Sequence, residues 1–162
     1  QQGRPEEIAC HPASPFVAEA IGFENLLSCH VVSVSEGELL LMVDDVRHVK
    51  KTDLYGDVVY PDSTPICAVG AGQIGDSCYI AIRADDILLE KGVAHGGSSA
   101  RNRLFGKVTE VVPAGLRMAV RIDCGFLLTA KITQRSREEL DLQPDSSITA
   151  VIKASSIHLI PR

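Results

Sequence analysis

Residues 30–43 read HVVSVSEGELLLMV, two strand-like segments with period-two alternation joined at Glu36-Gly37. Such alternation turns one face of a strand to a core and the other to solvent, and a Gly at the break permits a tight turn, so the stretch predicts a hairpin. Residues 106–123, GKVTEVVPAGLRMAVRID, predict a second hairpin turning at Pro113-Ala114-Gly115. Helical signals are brief. In SPFVAEAIG, Ser14 is placed to cap, Pro15 suits the first helical position, Phe16, Val17, Ala20 and Ile21 predict one apolar face, and Gly22 predicts the end. In SREELDLQP, Ser136 and Glu139 stand at capping-box spacing and Pro144 marks the exit. GAGQIGD at 70–76 leads into the strand-like SCYIAIR and reads as a loop. Short strands between Gly and Pro turns predict an all-β protein of two small antiparallel β-barrels with short helices.

The two halves resemble each other. At an offset of 77, ENLLSCHVVSVSEGELLLMV falls on RNRLFGKVTEVVPAGLRMAV, pairing Asn25 with Asn102, Leu27 with Leu104, Val31 with Val108, Val34 with Val111, Leu39 with Leu116 and Val43 with Val120. At an offset of 70, IAIRADDILL falls on AVIKASSIHL, which pairs Arg83 with Lys153 and Asp85-Asp86 with Ser155-Ser156. Carboxylates repel an anion to which hydroxyls can donate, so the second copy is the anion-tolerant one.

Charge points the same way. Residues 1–96 carry six Lys and Arg against fifteen Asp and Glu, a balance of −9, whereas 97–162 carry ten against six, a balance of +4. An anion is therefore expected in the second half. The basic residues form no dense run, and 4% aromatic content offers no stacking platform, so no nucleic-acid partner is expected. At 162 residues and 45% apolar content the chain can bury a core, and no run approaches the roughly 18 apolar residues of a membrane span. Five cysteines without a CxxC argue for reduced thiols in a cytosolic setting, against zinc and disulfide frameworks.

The chemistry-bearing stretch is SSARNRLFGKV, 98–108. A small tetrahedral oxyanion needs several converging donors, because a dianion without them is prohibitive to desolvate. Ser98, Ser99, Arg101 and Asn102 could supply half of such a shell and KASS, 153–156, the rest. The same residues could equally make a plain turn before an edge strand, with Lys153 solvated. His11, His30, His48, His95 and His158 lack metal-ligand spacing, and no metal site is expected. Asp44-Asp45 and Asp85-Asp86 are adjacent pairs whose side chains diverge on strands, which makes them poor acid-base pairs. There is no nucleophile elbow, Walker-type loop or dinucleotide fingerprint, hence no catalytic residue is expected.

QQGRPEEIACHPASPFVAEAIGFENLL resembles the end of the nucleotide-binding domain of bacterial and archaeal ABC importer ATPases, and YIAIRADDILL is similar to a strand of their regulatory barrel, with Ala84 in place of the usual Pro. SSARNRLFGKVTEVV resembles the Mop motif of molybdate and tungstate proteins, and ITAVIKASSIHLI that module's last strand. The resemblance implies a TOBE/Mop-type C-terminal regulatory region with two OB-fold-like barrels: an ATPase-domain tail at 1–23, a first barrel at 24–96, and an oxyanion-binding barrel at 97–162. It implies molybdate or tungstate as ligand, held by Ser99, Ala100, Arg101 and Asn102 on one side, with Ser98 added, and by Lys153, Ala154, Ser155 and Ser156 on the other, contributed by a partner subunit. It further implies a homodimer in which bound oxyanion holds transport off, membrane permease partners, and a place at the inner face of the cell membrane. ATP and Mg²⁺ are expected only in a full-length parent ATPase, with no cofactor in this region. The generic barrel and tail features fit a second class as well, a structural dimerisation and coupling domain of an importer for another substrate.

Overall fold

β1 (Asn25–Ser35) and β2 (Glu38–Val43) form the first hairpin, with Ser35 opposite Glu38 and with Glu36 and Gly37 at φ 47° and 82°. Two positive φ values give a two-residue loop whose twist matches that of the strands, which is what Gly37 permits. The computed structural model describes residues 12–44, 51–52, 58–59, 65–92 and 98–162. Cys10, His11, Asp45, His48 and His95 lie outside them, as do residues 1–11 of the segment resembling an ATPase tail.

Along the chain follow β3 (Lys51–Thr52) and β4 (Val58–Val59), which pair with each other, then β5 (Ile66–Val69), β6 (Ser77–Ile82) and β7 (Leu88–Glu90). The second copy comprises β8 (Asn102–Ala114), β9 (Arg117–Asp123), β10 (Leu127–Ile132), β11 (Ser147–Ile152) and β12 (His158–Pro161). Two antiparallel five-stranded sheets result, ordered β12-β6-β1-β2-β5 and β10-β9-β8-β11-β7. The fold is all-β, as the alternation predicts.

The sheets exchange their last strands. β7 leaves the first copy to pair with β11, Leu89 opposite Ala150, while β12 leaves the second to pair with β6, Leu159 opposite Ile80. The expected segment 24–96 therefore contributes a strand to the sheet of 97–162, and receives one from it. One continuous buried cluster crosses both sheets, from Cys29, Leu41 and Ile80 to Leu104, Val120 and Ile148. Burial of this apolar surface holds the two copies together as one body.

Three local expectations need correction. α1 (Pro15–Ala20) is capped by Ser14, whose Oγ accepts from the Val17 N–H at 3.3 Å, but its buried residue is Ala18, packed near Phe23, Ala81 and Ile160. Phe16 instead stands 79% exposed. α2 (Gln134–Glu139) begins three residues earlier than the capping-box spacing suggests: Thr133 is the cap, accepting from the Ser136 N–H at 3.1 Å. The second hairpin turns at Gly115-Leu116, with Pro113 still inside β8.

The third shift alters the repeat. Val31 faces Leu41 and Val108 faces Ile122, so β1 maps on β8 at an offset of 77 but β2 on β9 at 81. The counterpart of Leu39 is Val120, both buried, whereas Leu116 is fully exposed at the turn.

Candidate functional site

Asn25 and Asn102 open the first strands of the two copies, and both are buried. The Asn102 amide nitrogen donates to the carbonyls of Cys67 and Ile152 at 2.9 and 3.2 Å, and its oxygen accepts from the Cys67 N–H at 2.7 Å. Asn25 does the same with Thr129 and Ile82: 2.9 and 3.2 Å as donor, 2.6 Å as acceptor. Cys67 and Thr129 hold equivalent places, opposite Leu40 and Arg121. Each asparagine thus ties its own sheet to the other copy. This corrects the expectation that the Asn102 side chain donates to an anion, because both of its N–H groups are already committed to carbonyls.

The other expected residues gather where β8 begins and β11 ends. Asn102 lies opposite Ile152, so Arg101 and Lys153 extend from paired positions of one chain. The chain itself brings the two segments together, and the 3-10 turn Ala154–Ser156 packs on β5 of the first copy. Ser98, Ser99, Arg101, Lys153 and Ser155 are exposed, Ser156 and Ala100 intermediate, and Ala154 buried. The Ser98 Oγ accepts from the Ala100 N–H at 3.1 Å, which leaves its own proton to donate. The Arg101 Nε pairs with the Glu38 Oε1 at 3.2 Å, the side chains being 63% and 40% exposed. Glu38 also faces Cys67, whose thiol is pushed up from its ordinary value by burial first and then by that carboxylate.

The corresponding place in the first copy holds an anionic oxygen of the chain's own. Arg83 and Lys153, which precede the two 3-10 turns, have φ, ψ of −74°, 137° and −72°, 140°, and the residues after the turns, Ile87 and Ile157, agree equally well. The backbone is the same twice. On the first turn, Ala84–Asp86, the Ala84 N–H donates to the Glu24 Oε2 at 2.9 Å, while Lys131 pairs with the Glu24 Oε1. Burial alone would raise the Glu24 carboxyl, but the Ala84 N–H and Lys131 outweigh it and hold it below the ordinary glutamate value. Asp85 pairs with Arg117. Arg83 is spent on the fold, its guanidinium 4.3 Å over the Phe23 ring and bonded to the Ile21 carbonyl at 3.2 Å. At the offset of 77 the counterpart of Glu24 is Arg101, so the second copy carries the opposite charge at that position of the repeat.

Glu24, Glu38, Cys67 and Lys131 are the residues that sequence reasoning misses. For Glu24 the signal stands in the repeat itself, since it is the first letter of the segment that falls on RNRL. Gly106 explains another letter of 98–108: a Cβ there would lie 2.4 Å from the Asp123 carbonyl oxygen and 2.8 Å from the Cys124 sulfur. Elsewhere, Asp44 accepts from the Ser28 hydroxyl and bonds His30 Nδ1, each at 2.6 Å. Among the described residues, no three His, Cys, Asp or Glu side chains gather as metal ligands, and no helix is long and apolar enough to cross a membrane.

Comparison with known proteins bears on the same segment. Residues 98–159 match the TOBE domain. The chain is 36% identical over 87 residues to the molybdenum-pterin-binding protein MopB of Rhodobacter capsulatus, 52% of this chain and 32% of that protein. It is 28% identical to the molybdate/tungstate import ATP-binding protein WtpC of Pyrococcus horikoshii, over 99% of this chain and 39% of that one. The spermidine/putrescine import ATP-binding protein PotA of Nitrosomonas europaea is 27% identical, over 84% of this chain and 34% of its own length. The chain thus spans about a third of the length of the curated relatives it matches. Among solved structures, the cytoplasmic molybdate-binding protein ModG superposes with a TM-score of 0.67 at 23% identity, covering 85% of this chain and 96% of that one, which shows a shared fold.

Proposed function

We propose, from the match of residues 98–159 to the TOBE domain, that this chain is the oxyanion-sensing regulatory region of a molybdate or tungstate importer's ATP-binding subunit. One observation carries the reading. The turn 84–86 seats a carboxylate on the Ala84 N–H, and its twin at 154–156 keeps that backbone while Arg101 replaces Glu24 and Ser155-Ser156 replace Asp85-Asp86. A place that accepts an anionic oxygen of the chain in one copy is offered to an anion from solution in the other.

In this reading the Ala154 N–H, the hydroxyls of Ser98, Ser99, Ser155 and Ser156, and the cations Arg101 and Lys153 replace the water around a tetrahedral dianion. Ala100 sets the turn through its bond to Ser98, and Asn102 acts as a strut. Arg101 offers a planar fork and Lys153 a point charge. The anion must displace Glu38 from Arg101, an exchange that is inexpensive because an exposed pair contributes about 0–1 kcal/mol. Bound oxyanion strengthens a homodimer and holds transport off, the permease subunits are the membrane partners, and ATP with Mg²⁺ acts in the rest of a parent ATPase at the inner membrane face. Matches to WtpC and ModG support the ligand and the setting.

The match to PotA favours a second reading, a dimerisation and coupling region without an oxyanion site. A thermal-shift screen against molybdate, tungstate, sulfate and phosphate separates the two. Ligand at 100 times its Kd stabilises by about 2.7 kcal/mol, which for a domain of this size raises Tm by about 5–10 °C. Such a rise with molybdate or tungstate is expected, and no rise with any of the four would favour the second reading. Sedimentation of the same samples tests the dimer: a monomer with and without saturating tungstate would count against it.

A further inference from the structure

We infer that Glu24 is the built-in occupant of the first copy's anion cradle, so that the chain binds one oxyanion rather than two and Glu24 decides which copy takes it. The inference rests on the oxyanion reading of the second copy. Its own support lies elsewhere, at the turn 84–86, where Lys131 of the second copy reaches Glu24 of the first. Glu24 and Lys131 are side chains only 28% and 29% exposed, and the carboxylate is shared between the Lys131 ammonium and the Ala84 N–H, 60 residues away in sequence. Both donors converge on one anionic group, the arrangement that an oxyanion requires.

Beside Lys131 opens a cleft of about 610 Å³, whose polar lining is Lys131, Arg117, Thr133 and Ser136 with the carboxylates of Asp85 and Glu139, the rest of it being apolar. Each cation has a carboxylate on it, Glu24 on Lys131 and Asp85 on Arg117. In the second copy both carboxylates are replaced, by Arg101 and Ser155. An added dianion in the first copy would meet Glu24 at hydrogen-bond range with no intervening donor, and like charges so placed exclude each other. The internal carboxylate wins because it is already held, without the translational entropy that a free anion loses.

Calorimetric titration with molybdate tests this. Asp85→Ser/Asp86→Ser, with Glu24 retained, should bind the same number of molybdate ions per chain as the wild type. Adding Glu24→Ala should raise that number by one, with Glu24→Gln as the isosteric version if the alanine variant melts early. A folded triple variant with the wild-type number, or a gain already present with Glu24 in place, overturns the inference. On the wild type itself, molybdate should shift the amide NMR signal of Ala154 and leave that of Ala84 unmoved; a shift at Ala84 also overturns it. A wild type that binds nothing contradicts the oxyanion reading alone, since the double and triple variants still report on Glu24.

Discussion

Asn102 and Cys67 are joined by two hydrogen bonds across the boundary between the copies, 2.7 Å from the Cys67 N–H to the Asn102 Oδ1 and 2.9 Å back to the Cys67 carbonyl. The residue that looks most like a ligand for an anion is the one that locks the site's two walls. Asn102→Ala leaves these groups and the Ile152 carbonyl without a partner, and each such buried group costs about 1–3 kcal/mol. Chemical denaturation should show a loss of about 2–4 kcal/mol, matched by Asn25→Ala through Thr129 and Ile82. A change within experimental error at either position would contradict the strut assignment.

Gly106→Ala should be severe for a different reason. The added methyl would press on the Asp123 carbonyl, which is backbone and cannot swing aside. A loss of about 1–3 kcal/mol or more is expected in thermal melts, whereas Gly37→Ala is strained by its φ of 82° with nothing within 4 Å of the new methyl.

How far could these arrangements be read from the sequence? The first hairpin could, because alternation and the Glu36-Gly37 break are local. The register of β2 on β9 could not: a slip of four residues preserves the period of two, so Leu39 on Leu116 looks as good as Leu39 on Val120 until burial separates them. The strand exchange is equally silent, since β7 and β12 are three and four residues long and their partners are chosen by packing across the chain. At the site, the composition of 98–102 and 153–156 marked the place, but an asparagine amide can serve an anion or a carbonyl and only its neighbours decide which. The charge reversal between Glu24 and Arg101 was legible and lay beside a more conspicuous pair, Asp85-Asp86.

Glu38 restrains Arg101, so its removal should tighten oxyanion binding. Glu38→Gln is expected to improve molybdate affinity by up to about fivefold, the equivalent of losing a competing surface pair of about 1 kcal/mol. Titration of the variant at two salt concentrations checks it, and the gain should shrink at high salt. Weaker binding would mean that Glu38 positions Arg101 rather than competing for it.

Acid should loosen the boundary through Glu24. Its folded-state carboxyl titrates below the unfolded one, so its contribution is present above the unfolded value of about 4.3 and is lost as pH falls through the lower folded value. Stability measured by denaturation from pH 6 to pH 3 should therefore fall more steeply for the wild type than for Glu24→Gln. Parallel curves would show that the pair with Lys131 contributes nothing.

The central claim is that the second copy, not the first, takes an oxyanion, and calorimetric titration of molybdate into four variants tests it most directly. Arg101→Ala and Lys153→Ala should each weaken binding about ten- to a hundredfold, the loss of a charge-assisted bond of about 1.5–3 kcal/mol. Ser155→Asp/Ser156→Asp should weaken it further while leaving the fold intact, since the first copy already carries Asp85-Asp86 on the same backbone. Arg83→Ala should lower Tm through its lost contacts to Phe23 and Ile21 yet leave affinity unchanged. If Arg83→Ala abolishes binding while the aspartate pair binds as the wild type does, the site lies in the first copy and the account is contradicted.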